Sequence, residues 1–215
     1  MRARSLLLLA GILAVLPADH GAAVPAAEVL RYTVKHAIYG DIGTYSNIVE
    51  RTGDSTTVLT EAHFKVSVFG IVLHREDAQR QERWRGGRLI FFHGVTIKNG
   101  RRLEVRGEAE GDGFVIDSPR GAATAPADIR PANPWSASFL GSDTMMRVDT
   151  GAVEPVRISG GGETTVAVDG TRLPAREYEI SGRTRYEVWL SEPQQVPVKF
   201  TVDDDTGVVT FTLAR

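Results

Sequence analysis

The chain has 215 residues, no cysteine, and 25 basic against 27 acidic residues, for a formal charge of −2. The missing cysteines exclude disulfides, thiol chemistry and a lipid-modified N-terminal Cys. The acidic balance argues against a general nucleic-acid binder, which needs a basic surface.

Residues 1–26 read as a secretory signal peptide. Arg2 and Arg4 precede an apolar run from Leu6 to Leu16, which stops at Pro17, and small residues follow at Ala22, Ala23, Ala26 and Ala27. That is the charged, apolar and small-residue order of an export leader. The run is too short to cross a bilayer of ~30 Å as a helix. Cleavage is expected after Ala26, with Ala23 as the alternative. Its loss removes Arg2, Arg4, Asp19 and His20 and leaves a formal charge of −3. The remainder, 27–215, is expected to be a single exported β-rich domain, soluble, without a transmembrane segment, and periplasmic in a Gram-negative bacterium.

Strand follows strand through that remainder. Leu30, Tyr32 and Val34 alternate with Arg31, Thr33 and Lys35. Val58, Thr60, Ala62, Phe64, Val66 and Val68 alternate with Leu59, Glu61, His63, Lys65 and Ser67. Period two over this length marks half-buried antiparallel strands. Asp77 to Arg85 is strongly charged and reads as a helical turn or an exposed strand. Ser118 to Pro134 holds Pro119, Pro126, Pro131 and Pro134 and reads as a long ordered loop or mobile flap. Trp135 to Leu140 suits one short helix. Gly160-Gly161-Gly162 reads as a flexible hairpin turn, because no helix follows to complete a phosphate loop. Alternation returns at Arg176–Ile180, Tyr186–Leu190, Val198–Val202 and Val209–Leu213.

Thr52-Gly53-Asp54, Gly86-Gly87, Asn99-Gly100, Gly111-Asp112-Gly113, Asp169-Gly170 and Asp205-Thr206-Gly207 punctuate the runs. These residues tolerate the positive φ of tight hairpins. Such short connections demand antiparallel pairing. The pattern predicts an all-β fold of roughly ten to twelve strands: a curved, mostly antiparallel sheet or an open or half-closed barrel, with at most one or two short helices.

Five segments stand out in order: Tyr39-Gly40-Asp41-Ile42-Gly43-Thr44-Tyr45, Glu82-Arg83-Trp84-Arg85-Gly86-Gly87-Arg88-Leu89, Asn133-Pro134-Trp135, Asp149-Thr150-Gly151 and Tyr178-Glu179-Ile180-Ser181-Gly182. In that order they resemble an uncharacterised family of exported bacterial proteins, the domain of unknown function 6134 family. The last strands, with Trp189 and Gly207-Val208-Val209, also resemble a second exported group of sheet proteins. The resemblance implies export and a β fold and carries no activity. The chain departs from the family's pattern at Tyr45, where His is expected after the Ile-Gly pair.

Chemistry is sparse. His36, His63, His74 and His93 are scattered, and no two share metal-ligand spacing. No metal or cofactor is expected. His93, in Phe91-Phe92-His93-Gly94, is the best single candidate, against the plainer reading of a strand histidine with a backbone partner. There is no Gly-x-Ser-x-Gly elbow, Ser142-Asp143 lacks a partner, and Asp41, Glu82 and Asp143 have no readable separation for a carboxylate pair. The apolar set is in surplus. Phe69-Gly70-Ile71-Val72-Leu73 and Leu89-Ile90-Phe91-Phe92 are apolar on both faces, so core or a ligand must cover both. The expectation is a binding or carrier protein for an apolar or amphipathic envelope ligand such as a lipid, contacted by Phe91, His93, Trp135, Trp189 and Trp84, with the Pro-rich flap as a lid. An envelope protein pairing through a sheet edge comes second, and a hydrolase or isomerase third.

Overall fold

The computed structural model describes residues 27–192, 194–204 and 207–214. The expected leader, 1–26, and part of the Asp205-Thr206-Gly207 turn lie outside the described residues. The fold is all-β. β1 (Glu28–His36), β2 (Gly40–Thr52), β3 (Ser55–Val68), β4 (Ile71–Arg85), β5 (Arg88–Lys98), β6 (Arg101–Glu110), β7 (Gly113–Ser118) and β8 (Gly121–Pro126) form consecutive antiparallel hairpins. β9 (Arg130–Pro131), β10 (Thr144–Met146) and β11 (Val153–Pro155) make a separate small sheet, with one 3-10 turn at Ala137–Leu140 between β9 and β10. β12 (Arg157–Val168), β13 (Thr171–Ser181), β14 (Arg185–Ser191), β15 (Pro197–Asp204) and β16 (Gly207–Leu213) then complete the main sheet.

That sheet has 13 strands in the order β12-β13-β14-β15-β16-β1-β2-β3-β4-β5-β6-β7-β8. β16 pairs antiparallel with β1, Tyr32 opposite Leu213, so the two sequence halves meet inside the sheet. It stays open. β8 and β12 are its edges, and no barrel closes. The chain must therefore cross from one edge to the other between 127 and 156. That crossing segment packs on the inner face as a plug. Phe139, Met145 and Val156 join one core cluster with Tyr32, Tyr45, Phe200 and Phe211. Ile129, Trp135 and Met146 join another with Leu89, Phe92, Phe114 and Ile116.

Three expectations change. Asp77 to Arg85 is neither a helical turn nor an exposed strand; it is the second half of β4, with Ala78, Arg80, Glu82 and Trp84 buried at alternate positions. Its charge hid a core-facing strand. Ser118 to Pro134 is not a loop or flap. Its first part completes the β7–β8 hairpin, and its last part enters the core, where Ile129 is fully buried and Asn133 nearly so. Gly160-Gly161-Gly162 is a bulge inside β12, where the register with β13 shifts. A Cβ on Gly160 would stand 2.6 Å from the Glu177 carbonyl oxygen, so only glycine fits that approach.

The β3–β4 turn is unusual in its residues. Phe69 and Gly70 both have positive φ, at 51° and 81°, as a tight hairpin turn requires. The corresponding turns use Asn99-Gly100 and Asp169-Gly170. Phe69 is wholly exposed at 101%, beside exposed Ile71, Val72 and Leu73. A bulky residue in the left-handed region is strained, and here no packing offsets it. Phe69→Asn is expected to stabilise the fold by about 1 kcal/mol, read from urea unfolding midpoints. A loss of stability would show that the Phe69 ring packs against the fold.

Candidate functional site

The five side chains singled out in the sequence do not come together. Phe91, His93 and Trp189 lie on the outer face. The Arg83 guanidinium stacks 4.1 Å from the Phe91 ring centroid, and the Lys199 ammonium 4.4 Å from that of Trp189. His93 Nε2 is 3.0 Å from Glu104 Oε1, so its partner is a carboxylate and not the backbone. Hydrogen bonds from Arg102, His93 and Arg106 pull the Glu104 carboxyl down to about 2. Paired in this way, His93 lies about a third exposed on that face and outside the lining of the cavity described below.

Trp84 and Trp135 are inside, and they meet on Glu82. Glu82 is fully buried. Its Oε2 accepts the indole N–H groups of Trp84 at 2.9 Å and Trp135 at 3.0 Å. Its Oε1 accepts Asn133 Nδ2 at 2.6 Å. Asn133 Oδ1 accepts the Tyr45 hydroxyl in a short hydrogen bond. Asn133 Nδ2 also reaches Thr60 Oγ1 at 3.1 Å, and Thr60 donates to Asn47 Oδ1 at 2.7 Å. The network therefore ties the plug, through Asn133 and Trp135, to β2, β3 and β4. The Arg130 and Arg51 guanidiniums lie 5.1 Å and 5.9 Å from the rings of Trp84 and Trp135. Three of the sequence segments that carry the family resemblance supply its main members: Tyr45, Glu82 with Trp84, and Asn133 with Trp135.

Between the plug and the inner face lies a cavity of about 540 Å³. Its walls are aromatic: Tyr45, Phe64, Tyr186, Phe200 and Phe211. Phe200 and Phe211 stack at 4.2 Å. The plug contributes Ala132, Pro134 and Arg147–Asp149, and the hairpin ends contribute Tyr39, Leu73 and His74. In the neighbouring β1–β2 pair the register shifts between Val34 and Lys35, which stand opposite Gly43 and Asp41. A Cβ on Gly43 would collide with the His63 carbonyl oxygen at 1.8 Å, so β2 and β3 approach closely only because Gly is there. Most charges in the lining are paired: Glu76 lies 3.8 Å from Lys98 and 3.7 Å from His74, and Arg147 lies 3.4 Å from Asp149. None of Phe91, His93, Trp84, Trp135 and Trp189 lines this cavity. Of the residues that do, Tyr45, Leu73, His36 and His74 drew notice in the sequence, but nothing there joined them, because the lining comes from strands far apart in the chain. Among the described residues, no three His, Asp or Glu side chains are grouped to hold a metal ion.

Burial pushes the Glu82 carboxyl up from an ordinary 4.5 to about 7, against the opposing pull of its three donors and of Arg80. A folded value above the unfolded one means that the folded state holds the proton more tightly. The stabilising contribution is complete below about pH 4.5 and is lost as pH rises through 7, at up to about 1.4 kcal/mol per pH unit. Glu82→Gln cannot ionise. Between pH 4.5 and 7.5 the wild-type unfolding free energy is expected to fall by a few kcal/mol relative to that of the variant, measured by urea titration at each pH. Parallel curves would contradict the buried, ionisable role of Glu82.

The family model described as domain of unknown function (DUF6134) matches residues 40–214. That match runs from the first residue of β2 to just past the end of β16, and it includes the whole network around Glu82 and nearly all of the cavity wall. No curated protein matches the chain. By this match over most of its length, the chain belongs to the DUF6134 family.

Proposed function

We propose that this protein is an exported, periplasmic binding or carrier protein for an apolar or amphipathic envelope ligand, held in the cavity between the sheet and the plug. The observation that carries the reading is the cavity itself. Its volume falls within the roughly 300–1,000 Å³ of small-molecule sites, and an apolar wall with a few polar groups is the usual make-up of such sites. Export rests on the order of residues 1–26 alone.

The exposed apolar turn supports the same reading. Leu73 lies in the cavity lining, and Phe69, Ile71 and Val72 continue outward from it into solvent. Apolar side chains at a cavity mouth let a lipid pass from a membrane into the protein without crossing open water. Strain at Phe69 suits a residue kept for contact rather than for the turn. The second reading, pairing through a sheet edge, draws support from β12. It has 12 residues and pairs on one side only, with β13. The bulge at Gly160–Gly162 breaks the flatness of that edge and weighs against it.

Native mass spectrometry of the protein recovered from its own envelope is expected to show a bound lipid-like mass. Val209→Trp, which fills the cavity from β16, is expected to lower lipid occupancy by about tenfold or more. A protein free of small molecules that also fails to take up a fluorescent fatty acid would overturn the carrier reading.

A further inference from the structure

We infer that the ligand is a single-chain anionic amphiphile whose charged group sits on Arg80; this rests on the cavity being a ligand site. Arg80 projects from the inner face of β4 and lines the cavity, yet it is only 8% exposed. Its Nε is buried with no hydrogen-bond partner, and among the described residues its side chain makes no hydrogen bond or ion pair. Lys98 and Arg147, the other Lys or Arg side chains of the lining, have the carboxylate neighbours given above. Glu82 and Tyr45 feel the charge of Arg80 without pairing with it. The Glu82 oxygens are already taken by Trp84, Trp135 and Asn133. A guanidinium whose Nε is buried and unpaired is costly to keep, and an anion meeting its other nitrogens from the cavity would offset that cost.

The surroundings fit the same chemistry. Thr60 stands directly opposite Arg80, and Asn47 stands opposite Thr60. Thr96 stands opposite Ala78, one diagonal step from Arg80. Asn47 Nδ2 and Thr96 Oγ1 are also buried without partners. All three groups can donate a hydrogen bond, but only Arg80 lines the cavity, and an ionised carboxylate or phosphate offers it acceptors alone. Arg80 is six residues along β4 from His74 at the cavity's outer end, about 20 Å at strand rise. A hydrocarbon tail along the aromatic walls would therefore run outward while the head is held within.

The test uses the protein purified as it accumulates in an exporting host, stripped of lipid, and titrated by calorimetry with hexadecanoate, hexadecyl phosphate and hexadecanol. Wild type is expected to bind at least one of the two anions about tenfold or more tighter than the alcohol, and the two anions distinguish a carboxylate from a phosphate head. Arg80→Met is expected to remove that preference by weakening the anions alone, leaving hexadecanol within about twofold. Arg80→Lys, which keeps the cation should the first variant fail to fold, is expected to retain the preference. Equal affinity of wild type for acid, phosphate and alcohol, or a preference that survives in Arg80→Met, would overturn the inference and leave the carrier reading standing. Binding of none of the three would overturn both.

Discussion

One buried carboxylate holds this fold in its shape. A sheet of 13 antiparallel strands with two free edges has no closure of its own. What covers its inner face is the stretch of chain that must cross from one edge to the other. Glu82 fixes that crossing by accepting two indole N–H groups and one amide, two of the three from the plug. Burying a carboxylate is unfavourable, and it is tolerated here because each oxygen has donors. Removing one donor would leave a buried carboxyl oxygen under-bonded, which costs about 1–3 kcal/mol or more for a charged group. The site therefore specifies where the plug lies more than it adds net stability.

The cavity follows from that placement. The plug is held at β2, β3 and β4 through Tyr45, Thr60 and Glu82, while its other side packs Phe139 and Met145 toward the strands of the C-terminal half. Between these attachments the aromatic inner faces of β2, β3, β15 and β16 are only partly covered. The pairing of β1 with β16 matters equally, because it brings Phe200 and Phe211 beside Tyr45. The result is an apolar chamber walled by aromatic rings beside an exposed apolar turn, and the proposed carrier role rests on it.

Much of the architecture was legible as period two. The strands with clean alternation, such as Val58–Val68 and Tyr186–Leu190, and the Asn-Gly and Asp-Gly turns fall where the pattern places them. The second half of β4 was ambiguous for a physical reason: its inward row is Ala78, Arg80, Glu82, Trp84, and two charges in four positions erase the apolar stripe. The plug was opaque because prolines signal an absence of regular structure, not burial. The site itself was scarcely legible. The hydrogen bonds that tie the plug to the sheet join residues 51 to 88 positions apart, and a lone Glu in a charged stretch looks like surface. The recurrence of Glu82-x-Trp84 and Asn133-x-Trp135, each a polar residue two before a tryptophan, was the one local sign that could have been followed. Phe91, His93 and Trp189 drew notice as aromatic or titratable residues in apolar company, but strand parity puts them on the outer face.

The segment from 127 to 156 is part of the core and not a lid. Native-state hydrogen exchange tests it directly. The Ala132 and Arg147 amides, bonded to Met146 and Ala152 within the plug, should exchange as slowly as amides in the middle of β3 and β4, through global unfolding alone. Exchange of those plug amides orders of magnitude faster than the sheet centre would mean that the plug opens on its own, and the account of Glu82 as its anchor would be wrong.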